Sequence, residues 1–328
     1  MTPYFQKNIL ENHFVIGLTL ALTIFILWEL RSTLFSFFIA YTFASALSPA
    51  VELLVRKKVH RLLAVTTVFL LTLLLIAILV FPLLPFFTSQ TQSFASAFPT
   101  LLERTVNFLG LSPESFNLRA LIEAEVNAAS RNAFLLTSRA FGGFFFLVTT
   151  IVITFYLLLF DYPFHHLLVS LFPDSHHSKI EQTISIIKNK LGSWVRGQIL
   201  LSTTIGLATW LGLAFLGIPF ALPLAIIAGF LEVIPTMGPV ISAVPAVIVA
   251  LTLSPQIALA TVALYILIQL LENHLLVPKV MEKAVGLNPL AVIIAIMVGG
   301  NLLGIAGALL SIPLILVLTT ILQQIPDS

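Results

Sequence analysis

Cysteine is absent from the 328 residues, which excludes disulfides, thiolate metal sites, iron–sulfur clusters and a cysteine nucleophile together. Charge is scarce: 9% of the residues are Asp, Glu, Lys or Arg, where a soluble domain carries about 25%. The net formal charge of +2 is too small to call for nucleic acid or an acidic partner. Signatures of catalysis are missing as well. No Gly-Lys pair forms a phosphate-binding loop, and there is no HExxH metal pair, no GxSxG elbow and no Gly-rich dinucleotide fingerprint. An enzyme, or a transporter driven by ATP bound to this chain, is therefore not expected, and no cofactor is called for.

What fills the chain instead is apolar: 59% hydrophobic residues, 27 of them Phe. The composition predicts an all-α polytopic membrane protein. About 20 helical residues cross a hydrocarbon core of about 30 Å. Runs suited to this are Phe14 to Trp28 (short), Thr33 to Leu54, Leu62 to Phe87, Phe141 to Phe160, Ile199 to Leu216 and Ile257 to Leu276. The first carries Lys7 ahead of it, and "ASA" at Ala44 to Ala46 resembles a signal cleavage site. The apolar stretch far exceeds the ~7 to 15 residues of a signal core, so it reads as two spans joined by a tight "WELRS" turn.

Two further runs, 218–253 and 289–322, are each about 35 residues long and broken near the middle, by "IPTMGP" and "GGNLLGIAG". One helix of that length measures about 50 Å, and two full spans need about 40 residues. Each run is expected to be a re-entrant helical hairpin, giving about eight hydrophobic segments in all. Exposed backbone is too costly in lipid, so the tips must face protein or a water-filled cavity. The runs also echo each other: displaced by 66 residues, "PLAIIAG" falls on "PLAVIIA" and Gly238 on Gly304. Paired Gly/Pro-interrupted segments are a pointer to a secondary transporter's binding site.

Polar stretches divide the chain into 1–87, an N-terminal scaffold; 88–140, an extramembrane helical segment with the amphipathic run "LRALIEAEVNAASRNAF"; 141–198, a fourth span with an interfacial amphipathic helix; and 199–328, a transport core. The interfacial helix is expected in "KIEQTISIIKNKLGSWV", where Ile180, Ile184, Ile187, Leu191 and Trp194 share a face. With both termini cytoplasmic and both broken runs as hairpins, eleven of the 16 Lys and Arg fall inside; if the broken runs cross fully, nine do. His165, His166, His176 and His177 form two pairs, with only Asp161 and Asp174 as nearby acids, and no metal site is assigned to them.

Glu232 is the acid within a broken run, and an acid there is a functional candidate by default. Ligand contact, proton carrier and cap for the hairpin tip all stay open. In "QLLENHLLVPK", helical spacing puts Gln269, Glu272 and Asn273 on one face, suited to a neutral hydroxylated ligand, with Pro278 ending the span. A merely solvated helix end is the plainer reading, as is a topology anchor for Arg196 in "RGQ".

"GFLEVIPTMGPVISAVPAVIVAL", "ENHLLVPKVMEKAVGLNPLAVIIAIMVGGNLLGIAGALLSIPL" and "WVRGQILL" resemble the signatures of the autoinducer-2 exporter family of bacterial membrane proteins. The resemblance runs the length of the chain and is most specific from Trp194 to Pro313. It implies a transporter in the bacterial inner membrane, homopentameric, each subunit moving a transport unit like an elevator. It also carries site residues over: Pro235, Gly238 and Pro239 at the first tip, Glu272, Asn273 and Pro278 at the helix break, and Gly299, Gly300, Gly304 and Gly307 at the second tip. Glu232 and Asn301 depart from the pattern, since Glu232 stands where some relatives have Asn and Asn301 where an apolar residue is common. The expected substrate-binding set is Glu232, Pro235, Gly238, Pro239, Gln269, Glu272, Asn273, Gly299, Gly300, Asn301 and Gly304, with Pro278, Gly307 and Pro313 as structural breaks. Export of a small neutral solute such as the autoinducer-2 quorum-sensing signal is the leading expectation; sodium/proton antiport and a non-transporting scaffold are the alternatives.

Overall fold

The computed structural model describes residues 13–80, 100, 133–233, 237–281 and 289–324. Pro235 and nearly all of the 88–140 segment lie outside them. The described residues form helices and short connections: α1 (His13–Glu29), α2 (Arg31–Arg56), α3 (Arg61–Val80), α4 (Ala133–Leu159), α5 (Asp161–Ser170), α6 (His177–Phe215), α7 (Ala221–Leu231), α8 (Met237–Leu253), α9 (Pro255–Leu271), a π-helical turn (Glu272–Leu276), α10 (Val277–Met281) and α11 (Pro289–Gln324). Five stretches are long and apolar enough to cross a membrane: 31–56, 61–78, 174–215, 255–279 and 307–324. A sixth, 145–159, is bent by 85° into α5, so α5 lies across the end of the bundle rather than along it.

Three expectations change. The "WELRS" turn is one residue, Leu30, and Leu30 N–H bonds to Ile26 while Leu34 N–H bonds to Leu30 at 2.9 Å each. A helical hairpin needs a loop of about 2 to 5 residues, so α1 and α2 are one bent helix here rather than a reversal. The interfacial helix and the fifth span are also one: α6 runs unbroken for 39 residues, about 58 Å. Pro278 does not end its span either. A proline lacks the N–H for the helical ladder and clashes four residues back, at His274; the ladder widens to a π-turn over Glu272–Leu276 and the helix continues to Met281.

In lipid there is little hydrophobic drive between helices, so small residues that let backbones approach do the packing. Gly192 of α6 lies on the backbone of Ser45 in α2, leaving no room for a Cβ. The small residues of "ASA" thus have a structural reason as a helix contact. Gly206 and Gly229 do the same between α6 and α7, where a Cβ on Gly229 would stand 3.0 Å from the Ser202 carbonyl. One apolar core joins α2, α3 and α4 around Ala40, Val51, Val65 and Leu158. A second joins α6 to α9 around Leu213, Leu224, Val249 and Tyr265. α6 belongs to both halves.

Basic residues gather at one end. Lys188 of α6 reaches Glu52 at the end of α2 (3.8 Å) and Asp161 (2.7 Å), which Arg61 also approaches (3.6 Å). The Arg56–Arg61 connection therefore lies at the Lys188 end of α6. α9 runs antiparallel to α6, since Gly212 meets Leu264 while Leu201 clusters with Leu276 and Val277. Lys279 consequently points to that same end.

Candidate functional site

α7 and α8 have 11 and 17 residues, about 16 and 26 Å, and neither reaches across ~30 Å of hydrocarbon. They pack against each other as a hairpin. α11 is likewise two arms. Gly304 breaks it with φ 62° and ψ −145°, a conformation open to glycine without the Cβ clash. A Cβ on Gly299 would lie 2.5 Å from the carbonyl of Gly307, whereas eight residues along one helix span about 12 Å. The chain folds back at Gly304, inside the "GGNLLGIAG" break.

The hairpins approach α6 from opposite ends. In the first, Leu224 near its base clusters with Leu213, and the tip residue Glu232 meets Gln198, so it points down α6 toward lower numbers. In the second, Thr320 near the end of the returning arm accepts from Lys190 Nζ (3.2 Å), and Ile312 and Leu316 pack on Trp194 and Val195. It points up α6 toward higher numbers. Two opposed half-helix pairs aimed at the middle of one helix are the geometry of a transporter site.

At the first tip Glu232 is wholly buried, Gly238 and Pro239 are buried, and Ser242 Oγ donates to the Gly238 carbonyl at 2.7 Å. Gln198 of α6, 5% exposed, donates from Nε2 to the Glu232 carbonyl at 2.6 Å. At the π-turn the expected trio does come together: Gln269 Nε2 donates to Glu272 Oε2 (3.2 Å) and Asn273 Oδ1 (3.4 Å). Glu272 is wholly buried, against an exposed Asn273. The solvated-helix-end reading therefore fails for Glu272. π-turns recur at functional sites, and this one sets an acid into the bundle.

At the second hairpin Gly299 and Gly300 are half-buried, Gly307 and Pro313 are buried, and Ser311 Oγ donates to the Gly307 carbonyl at 2.6 Å. Asn301 and Gly304 are exposed. Pro313 continues the helix within α11 rather than breaking it. Arg196 is more than a topology anchor, for its Nη1 donates to the Ala46 carbonyl of α2 at 3.0 Å.

The sequence reading missed Gln198, Ser202, Ser242 and Ser311. Their signal was weak: single small polar residues in apolar helices. Three of the site's acceptors, Gln198 Oε1, Gln269 Oε1 and Ser202 Oγ, are buried with no hydrogen-bond partner among the described residues. Leaving such a group unsatisfied costs about 1 to 3 kcal/mol, so acceptors of this kind mark a place for a hydrogen-bond donor.

The comparison with known families decides the identity. A model described as AI-2E family transporter matches residues 17–327. The chain belongs to the AI-2E transporter family. Among relatives of the family, YhhT of Escherichia coli, a candidate transport protein by name, is 29% identical over 84% of this chain and 80% of its own. YueF of Bacillus subtilis, similarly named, is 27% identical over 81% of this chain and 77% of its own. MT0215 of Mycobacterium tuberculosis reaches 42% identity over a shorter match, 43% of this chain and 39% of its own. The chain is a multi-pass membrane transporter.

Proposed function

We propose that this AI-2E transporter exports a small, uncharged, hydroxylated solute of the autoinducer-2 kind across the bacterial inner membrane. The carrying observation is the opposed hairpins converging on the middle of α6, together with acceptors of Gln198, Ser202 and Gln269 that have no partner among the described residues. Such acceptors suit the O–H groups of a polyol or furanone better than an anion, which has no hydrogen to donate to them. The lysine-rich end of α6 faces the cytoplasm, by the positive-inside rule, and the C-terminal end of α11, beside Lys190, lies on that side. α2, α3 and α4 form the scaffold, the hairpins of α7, α8 and α11 the moving unit, and the unbroken α6 joins the two. The hairpins shift as a body against the scaffold in an elevator-like step within a homopentamer. The test is uptake of autoinducer-2 by everted membrane vesicles carrying the protein. Uptake no greater than in empty-vector vesicles would remove this substrate.

A second reading is sodium/proton antiport, favoured by two carboxylates, Glu232 and Glu272, both wholly buried. It predicts acidification of the everted vesicle lumen to be dissipated on adding sodium.

A further inference from the structure

Gln198 sits where α6 meets the tip of the first hairpin. Along this crossing the backbones nearly touch: Gly229 lies on the Ser202 carbonyl, and a Cβ on Gly206 would be 3.4 Å from the Ala225 carbonyl. Small residues hold the shaft of α7 against α6 by close backbone contact. At the tip the hold is different in kind. Glu232 caps the C-terminus of α7, where the last four carbonyls have no partner in the helix, and its carbonyl takes the Gln198 Nε2–H bond at 2.6 Å inside a buried environment. The amide cannot be turned round, since that would set two oxygens 2.6 Å apart. Its Oε1 is therefore fixed, buried, and without a partner among the described residues.

We propose that Gln198 is the latch of the first hairpin: a positioning residue whose Nε2 holds the tip on α6 and whose Oε1 is turned to the transported solute. A solute O–H donated to Oε1 polarises the amide and strengthens the Nε2–H bond on its far side, so occupancy and the hold on Glu232 are coupled. The coupling rests on the transport reading above; the latch itself does not.

The absence of native cysteine makes the test direct. Val233, next to Glu232 in the turn, is replaced in V233C, and labelling by a membrane-impermeant maleimide is timed in vesicles. Adding Q198M, which keeps the length of the side chain but removes the donor, is expected to raise the labelling rate about fivefold, the population change one net hydrogen bond is worth. An unchanged rate overturns the latch. Q198E separates the hydrogen bond from packing, because its carboxyl can donate only when protonated. Normalised to V233C at each pH, Q198E is expected to label more slowly as pH falls from 8 to 4.5 and its carboxyl gains the proton it donates, while Q198M keeps a constant ratio; ratios that do not diverge assign the effect to packing and overturn the proposal. In V233C itself, autoinducer-2 is expected to slow labelling. If it is neither transported nor slows labelling while Q198M still opens the tip, the substrate reading falls and the latch stands.

Discussion

Gly238 rests on the backbone of Glu232: a Cβ at 238 would stand 2.7 Å from the Glu232 nitrogen and 2.8 Å from its Cα. Contacts below 3.0 Å to backbone cannot be relieved by turning a side chain. G238A must therefore push the two arms of the first hairpin apart at the tip, and overpacking of this sort costs about 1 to 3 kcal/mol. The expected outcome is a melting temperature lower by several degrees in detergent, read by size-exclusion after heating, and loss of transport. A variant as stable as the parent would mean the tip closes in some other way.

Glu272 accepts from Gln269 at 3.2 Å, and a glutamine in its place can keep an oxygen there. For export of a neutral solute, E272Q is expected to fold, and to lower the transport rate by less than about tenfold, since one neutral hydrogen bond replaces a charged one. Sodium gradients should leave that rate unchanged. Collapse of activity in E272Q and E232Q, together with sodium dependence in the parent, would hand the protein to the antiport reading.

His165 on α5 lies at the end of the bundle, its Nδ1 3.6 Å from Asp161 Oδ1. Burial pushes its imidazole below the ordinary histidine range, Lys188 adds to this, and Asp161 and Glu181 oppose it. The folded protein thus binds this proton less readily than the unfolded chain. Stability from His165 is present above the unfolded value near 6.5 and is lost as pH falls from there through the lower folded value. The melting temperature of the parent minus that of H165Q is expected to be larger at pH 8 than at pH 5.5. A difference that does not move with pH would assign the imidazole no such role.

Lys58 and Lys279 are both exposed, and the antiparallel packing of α9 on α6 sends Lys279 to the end where the α2–α3 connection lies. Single-cysteine variants K58C and K279C should therefore label from the same side of intact cells, and a permeant reagent should be required for both. Labelling of K279C alone by an impermeant reagent would mean that α7 with α8 crosses the membrane in full.

Much of this architecture was legible in the chain. Run lengths against a fixed bilayer thickness gave the spans, and the Gly and Pro breaks gave the places where the two long runs fold back, because these residues stop or turn a helix. The trio Gln269, Glu272 and Asn273 was legible from spacing alone, since residues three and four apart share a helix face. Leu30 and Pro278 were not. Neither residue type says whether a helix stops, bends or widens, which depends on whether neighbours let the ladder reform around the fault.

Gln198 shows the other limit. Nothing adjacent to it in sequence distinguishes it from any amide at the start of an apolar run, because its partner, the Glu232 carbonyl, lies 34 residues away. The sequence by itself determined that the chain lives in a membrane, where its long apolar runs lie, and which two runs are broken near the middle, for these follow from apolar length and the placement of Gly and Pro. Only the tertiary structure decided that the two hairpins come to α6 from opposite ends and that Glu232 and Glu272 are buried there. Those facts depend on which helices small residues allow to touch, and such contacts are set between segments rather than along them.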